Sequence, residues 1–128
     1  MQPELTLVVW AVVLTFVQML VAVSGATLQV GLPALAGNRE GLATCSGWAG
    51  RGQRAHRNML ENLVLFASLV LVAVLAQKTN STTLMGAQIF FWARVAYALI
   101  YLIGIPWLRT AVWTVSVIGL AMIASQVV

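Results

Sequence analysis

From Leu5 to Asn38 the chain carries no charged residue, and three further stretches before the C-terminus are nearly as apolar. A helix crosses the bilayer core with about 20 apolar residues. In lipid only helices and closed barrels satisfy their own backbone groups, and these runs are too long and continuous for barrel strands. Composition agrees, with 61% hydrophobic and 8% charged residues over 128 positions, where a soluble domain carries roughly 25% charged. Too few polar side chains exist to cover a water-facing surface. The sequence therefore predicts an all-α integral membrane four-helix bundle. A chain of this length, with no repeat and no low-complexity linker, makes a single membrane domain over residues 1–128.

The spans are expected at about 5–30, 54–76, 84–103 and 107–127. Gly31 and Pro33 end the first. No Lys or Arg precedes it, which argues against a cleaved signal peptide. Residues 31–53 form a loop, because five of the chain's ten glycines gather in 33–53 beside Arg39, Glu40 and Arg51. Gln77 to Thr83 is a short polar turn, and Gly104-Ile105-Pro106 breaks the third span from the fourth, proline being suited to a helix's first turn. The net charge of +4 does not point to nucleic acid, because the basic residues cluster at span ends. Arg39, Arg51, Arg54, Arg57 and Arg109 share one side of the membrane and Lys78 the other. By the positive-inside rule the loop at 31–53 is cytoplasmic and both termini lie outside; the membrane is expected to be the inner, cytoplasmic one. Cys45, the single cysteine, excludes a disulfide within the chain and fits a reducing compartment.

Polar residues interrupt the spans in a pattern. At 100° per residue, Arg54, Arg57, Asn58 and Glu61 fall within an arc of about 100° on the second span. Arg94, Tyr97 and Tyr101 fall within about 60° on the third, and Arg109, Thr110 and Trp113 open the fourth on one face. Glu61 and Tyr97 lie roughly 10 Å below the cytoplasmic surface, Arg57, Tyr101 and Arg109 are shallower, and Arg94 is deeper. Three helices thus offer polar groups to one cytoplasmic-side layer, each charge costing a few kcal/mol to insert. Plainer readings stand beside a binding site. Arg51 and Arg54 mark topology or meet lipid head groups, Arg57 and Glu61 form an i, i+4 ion pair, Tyr101 and Trp107 are interfacial aromatics, and Arg94 bridges Glu61 and backbone carbonyls. His56 has no ligand partner at metal spacing, so no metal is expected. Cys45 has no neighbour to lower its pKa. Guanidiniums pair with carboxylates, Glu61 with an ammonium and Asn58 with an amide, which suits a small anionic peptide such as glutathione and equally a nucleotide or lipid phosphate.

The segment Arg54-Ala55-His56-Arg57-Asn58-Met59-Leu60-Glu61 resembles the second-helix signature of the MAPEG family (membrane-associated proteins in eicosanoid and glutathione metabolism). Ala93-Arg94-Val95-Ala96-Tyr97 through Tyr101, then Gly104-Ile105-Pro106 and Arg109, resembles its third- and fourth-helix signature, in the right order over about 60 residues. The likeness is to a bacterial-type member of the microsomal glutathione transferase or prostaglandin E synthase kind. It implies a left-handed bundle that assembles as a homotrimer, with glutathione as co-substrate bound between protomers. Carried over by position, Arg54, Arg57, Asn58, Glu61, Arg94, Tyr97 and Tyr101 hold the peptide, while Arg109 and Thr110 stand near the sulfur as catalytic residues. The implied activity is a membrane-bound glutathione-dependent transferase or peroxidase acting on lipophilic electrophiles or hydroperoxides. The competing function is a non-catalytic accessory or lipid-binding subunit of the same fold, whose side chains would fill the cavity that an enzyme needs. A channel or transporter is disfavoured, since no span is broken in mid-membrane. Three departures from the family pattern stand out: Thr27-Leu28-Gln29-Val30 where relatives have basic residues, Trp113 where some have tyrosine, and no proline after Glu61. Gln29 is a weak substitute for the missing base.

Overall fold

The computed structural model describes residues 1–37 and 45–128. Helix α1 runs over Pro3–Val30, a short α2 over Leu32–Ala36, α3 over Gly47–Leu75, α4 over Ser81–Ile103 and α5 over Pro106–Val127. Four of these, α1, α3, α4 and α5, are long and apolar enough to cross a membrane, and the protein is an all-helical integral membrane bundle. Only 22–33% of the most apolar window of each is buried within the chain, so most of the apolar surface faces outward, as lipid requires.

The expected loop at 31–53 differs at both ends. Its first residues form α2, and α3 begins at Gly47, seven positions before Arg54. Glycine density misled because Gly50 and Gly52 lie buried within α3 rather than in turns. Arg39 and Glu40 lie outside the described residues. At the other loop, α4 begins at Ser81, earlier than the expected 84, because Asn80 makes a capping box. Its Oδ1 accepts from the Thr82 and Thr83 amides, and the Thr83 hydroxyl accepts from the Asn80 amide. Such a cap satisfies donors that lipid cannot.

The helices alternate in direction, and α1 packs most on α3 and α4 on α5. The apolar core gathers Met59, Phe66 and Val70 of α3, Ala87 and Phe90 of α4, and Leu120 and Ile123 of α5, with Phe66 and Phe90 stacked at 4.2 Å between ring centroids. Without a hydrophobic drive between helices in lipid, close backbone approach matters more than apolar content. The tightest approach joins α4 to α5. A Cβ on Gly86 would lie 2.7 Å from the Gly119 carbonyl oxygen, and one on Gly119 would lie 2.6 Å from that of Gly86. Gly25 of α1 is also closely packed, its Cβ position meeting the Ala49 Cβ of α3 at 2.7 Å.

Polar clasps close both ends. On the side away from the site, Glu4 is buried at 4% exposure and accepts from the Thr83 hydroxyl at 2.9 Å, tying α1 to α4. Lys78 donates to the Val127 carbonyl and Asn80 to the Gln126 amide oxygen, tying α5 to the same corner. At the other end the Gln29 amide pairs with both backbone groups of Ser46, at 2.7 and 3.0 Å. Gln29 therefore joins the end of α1 to the start of α3. The Arg51 Nε donates 2.9 Å to the Leu102 carbonyl in the last turn of α4, satisfying one of the acceptors a helix end leaves over. Arg51 is thus a helix cap beyond any part in topology, and Gly104, at φ +90°, supplies the left-handed residue that lets α5 start two residues later.

Backbone oxygens cannot move aside as a flexible side chain can. Gly86→Ala and Gly119→Ala are expected to lower stability by about 1–3 kcal/mol through overpacking, despite a gain of about 1 kcal/mol in helix propensity. Gly52→Ala, whose Cβ would meet only Leu102 and Val21 side chains at 3.6 Å, is expected to be neutral or stabilising. Thermal unfolding in detergent, followed by circular dichroism, distinguishes the three variants.

Candidate functional site

The layer forms where α3, α4 and the start of α5 meet. Asn58 projects from α3 between the helices, Arg94, Tyr97 and Tyr101 from one stripe of α4, and Arg109, Thr110 and Trp113 from the first two turns of α5. Asn58, Tyr97, Arg109, Thr110 and Trp113 line one cavity of about 180 Å³. It is open rather than filled by side chains, and its wall carries amide, phenol, guanidinium and hydroxyl groups.

Arg94 is the deepest of these groups and the most buried, at 1% exposure. One terminal nitrogen donates 2.7 Å to Asn58 Oδ1, and the guanidinium carbon lies 4.1 Å from the Tyr97 ring centroid. Its Nε and other terminal nitrogen have no hydrogen-bond partner among the described residues. Among the described residues no carboxylate pairs with it, and in place of the expected bridge from Arg94 to Glu61 it meets an amide and an aromatic face. The guanidinium stands behind the wall of the cavity that Asn58 and Tyr97 line, its two remaining nitrogens sealed from solvent. Asn58 Oδ1 accepts a second bond from Asn62 at 3.2 Å, and the Asn62 amide also reaches the Asn58 carbonyl. With its oxygen occupied twice, Asn58 offers its NH₂ group, which reads a carbonyl. Asn62 was absent from the sequence-derived set, although its position four residues after Asn58 on a helix is a usable signal.

Tyr101 gathers two more cations. The Arg109 guanidinium lies 4.5 Å from its ring centroid and that of Arg54 6.0 Å, while Tyr97 meets the same ring edge-on at 5.5 Å. Tyr97 and Tyr101 are buried with Ala55 of α3, so Tyr101 is a packed ring between helices rather than an interfacial aromatic; Trp107, by contrast, is exposed. Thr110 lines the cavity, but its hydroxyl donates to the Pro106 carbonyl one turn back at 3.2 Å. Its expected role as a donor to sulfur requires that weak local bond to be exchanged.

Two expected members stand apart. Arg57 and Glu61 are exposed on the outer face of α3, without a hydrogen-bond or ion-pair partner among the described residues, so the alternative i, i+4 ion pair does not form there. The arc of about 100° is wide enough to split, so that Asn58 turns inward while Arg57 and Glu61 face out. His56 lines the opposite groove of α3 with residues of α1 and α2, and among the described residues no three His, Cys, Asp or Glu side chains gather into a metal site.

The Arg94–Asn58 contact yields a test. Asn58→Leu, which leaves the buried guanidinium without its hydrogen-bond acceptor, is expected to cost about 1–3 kcal/mol. Arg94→Met in the same chain is expected to recover most of that loss, so a double-mutant cycle in detergent should show strong coupling. Additive effects would place Arg94's main support elsewhere.

Comparison with curated proteins and with solved structures returns no match. The sequence model of the MAPEG family, in contrast, matches residues 4–128, nearly the whole chain and every helix of the bundle, so the protein belongs to the MAPEG family.

Proposed function

We propose that the protein is a membrane-bound glutathione-dependent transferase or peroxidase acting on lipophilic electrophiles or hydroperoxides. Family membership supports a glutathione-related membrane activity in general. The observation that carries the finer reading is a guanidinium cluster with no carboxylate partner among the described residues. Arg94, Arg109 and Arg54 converge on two tyrosine rings beside an open polar cavity, and two buried nitrogens of Arg94 are left without partners among the described residues. An accessory subunit has no need to leave this cavity open, and a purely structural arginine would be expected to use all its donors.

Glutathione fits the donor set. Its carboxylates suit Arg54, Arg57 and Arg94, its ammonium suits Glu61, and a peptide carbonyl suits the free NH₂ of Asn58, with Tyr97 and Tyr101 as the wall. A thiol of pKa about 8.5 is mostly protonated at neutral pH, and the thiolate is the reactive form. Arg109 as a fixed cation and Thr110 as a hydroxyl donor favour the thiolate, each unit of pKa shift corresponding to about 1.4 kcal/mol. Electrophile or hydroperoxide reaches the sulfur from the bilayer, which concentrates it, and no residue of the protein is modified.

Assembly completes the reading. Arg57 and Glu61 point away from the cavity of their own protomer, on a helix that crosses the membrane. Ionised groups facing lipid are costly, so this face calls for a partner surface. We take it to be a second copy, in the homotrimer that the family resemblance implies, with glutathione between neighbours, in a cytoplasmic membrane with the arginine-rich end inward.

Calorimetry on the detergent-purified protein is expected to detect glutathione binding, lost in Arg57→Ala. Arg109→Ala is expected to retain binding while losing about tenfold or more of the thiolate ultraviolet signal. The absence of binding to the folded protein at millimolar glutathione would remove the transferase reading in favour of the accessory subunit. Native mass spectrometry is expected to show three chains per particle, and a stable monomer would remove the shared site.

A further inference from the structure

The turn between α4 and α5 is apolar and exposed. Ile103, Ile105, Trp107 and Leu108 all stand out from the bundle, Trp107 at 86% exposure. The turn joins two membrane-spanning helices, so it lies at a membrane surface, in the head-group layer where such side chains are sheltered. One charged side chain is built into it. Arg51 reaches across from α3, its Nε donating 2.9 Å to the Leu102 carbonyl. Its guanidinium lies across the bare face of Gly104, where a Cβ would meet Arg51 Cδ and Nε at 3.4 Å and Cζ at 3.6 Å.

That bond and that contact fix the plane of the guanidinium and leave its two terminal nitrogens over. Neither has a partner among the described residues, and neither is sealed as the Arg94 nitrogens are. Two N–H donors in a fixed plane match the two free oxygens of a phosphodiester. In the head-group layer, the phosphate of a phospholipid is the acceptor within reach. The charge around the turn favours a lipid of net negative charge. The Arg54 and Arg109 guanidiniums lie 6.0 and 4.5 Å from the ring of Tyr101, the residue before Leu102. The described side-chain carboxylates are distant: Glu4 is at the opposite end of the bundle, and Glu61 is ten residues on from Arg51 along α3, roughly 15 Å. A zwitterionic lipid brings its own ammonium to this cationic corner, and an anionic one does not.

We propose that Arg51 and the α4–α5 turn form a binding site for an anionic phospholipid, its phosphate held by the two terminal nitrogens of Arg51 and its first acyl carbons lying against the exposed side chains of the turn. The site is separate from the arginine cavity, which Arg51 does not line, and it stands whether or not the protein takes glutathione. The bound phosphate completes the partners of the side chain that caps α4, so the lipid also firms the joint between α3, α4 and α5.

The test is native mass spectrometry of the full-length protein from detergent, with dioleoyl phosphatidylglycerol, dioleoyl phosphatidylcholine or inorganic phosphate added. Phosphatidylglycerol is expected to bind about tenfold more tightly than phosphatidylcholine, the worth of a charge-assisted contact. Arg51→Gln is expected to abolish this preference, while Lys78→Gln, which removes the same charge at the opposite end, keeps it. Trp107→Ser changes an exposed side chain alone, so the variant is expected to fold and to bind phosphatidylglycerol about threefold or more weakly. It covers the case that Arg51→Gln fails to fold. Equal binding of the two lipids would overturn the proposal. So would a preference that survives Arg51→Gln or is lost in Lys78→Gln, or unchanged binding in Trp107→Ser. Displacement of the lipid by millimolar inorganic phosphate would also overturn it, by making a free anion the ligand.

Discussion

A bilayer offers backbone groups no hydrogen bonds, and that constraint organises this protein at every level. Within the helices each amide and carbonyl is satisfied by the helix itself. The exceptions are helix ends, where donors and acceptors are left over. The protein spends its scarce polar side chains there: Asn80 and Thr83 at the start of α4, Arg51 at its end, Gln29 at the start of α3, and Lys78 at the end of α5. The Arg51, Gln29 and Lys78 contacts also tie helices together, because each of these side chains comes from outside the helix it caps.

The same solvent makes interior packing depend on shape. Lipid tails are as apolar as leucine, so helices gain little by hiding leucine from them. Association rests on close approach at Gly86 against Gly119 and Gly25 against Ala49, and on the stacked pair Phe66 and Phe90. Leucine and valine, the commonest apolar residues in the spans, are exposed or half-buried with the exceptions of Val70 and Leu120.

Against that background the layer containing Arg94 departs from the economy of the rest. A guanidinium is buried with one amide acceptor and one aromatic face, and two more guanidiniums crowd a tyrosine a turn away. Such an arrangement is costly without an anion and favourable with one, since charge-assisted bonds strengthen where water is excluded. Among the described residues this positive charge has no carboxylate partner, and Arg57 and Glu61 stand exposed on the outer side of α3.

Much of this was legible in the residues. Apolar run length set the number of spans, since bilayer thickness fixes how many residues cross it. Helical periodicity set which polar residues share a face, and Arg94, Tyr97 and Tyr101 do lie together as one stripe. The tertiary structure alone decided which edge of a face turns inward. Asn58 and Arg57 are neighbours in sequence, yet one holds Arg94 and the other is exposed, because about 100° separates adjacent residues on a helix and only packing against α4 chooses between them. Pairings across helices were equally beyond the sequence: Arg51 with Leu102, Gln29 with Ser46, Glu4 with Thr83. Glycine shows the same limit, since Gly50 and Gly52 read as loop residues and proved to be contact points inside α3. Local chemistry determines what a residue is able to do, and the distance to a second helix determines which of those things it does.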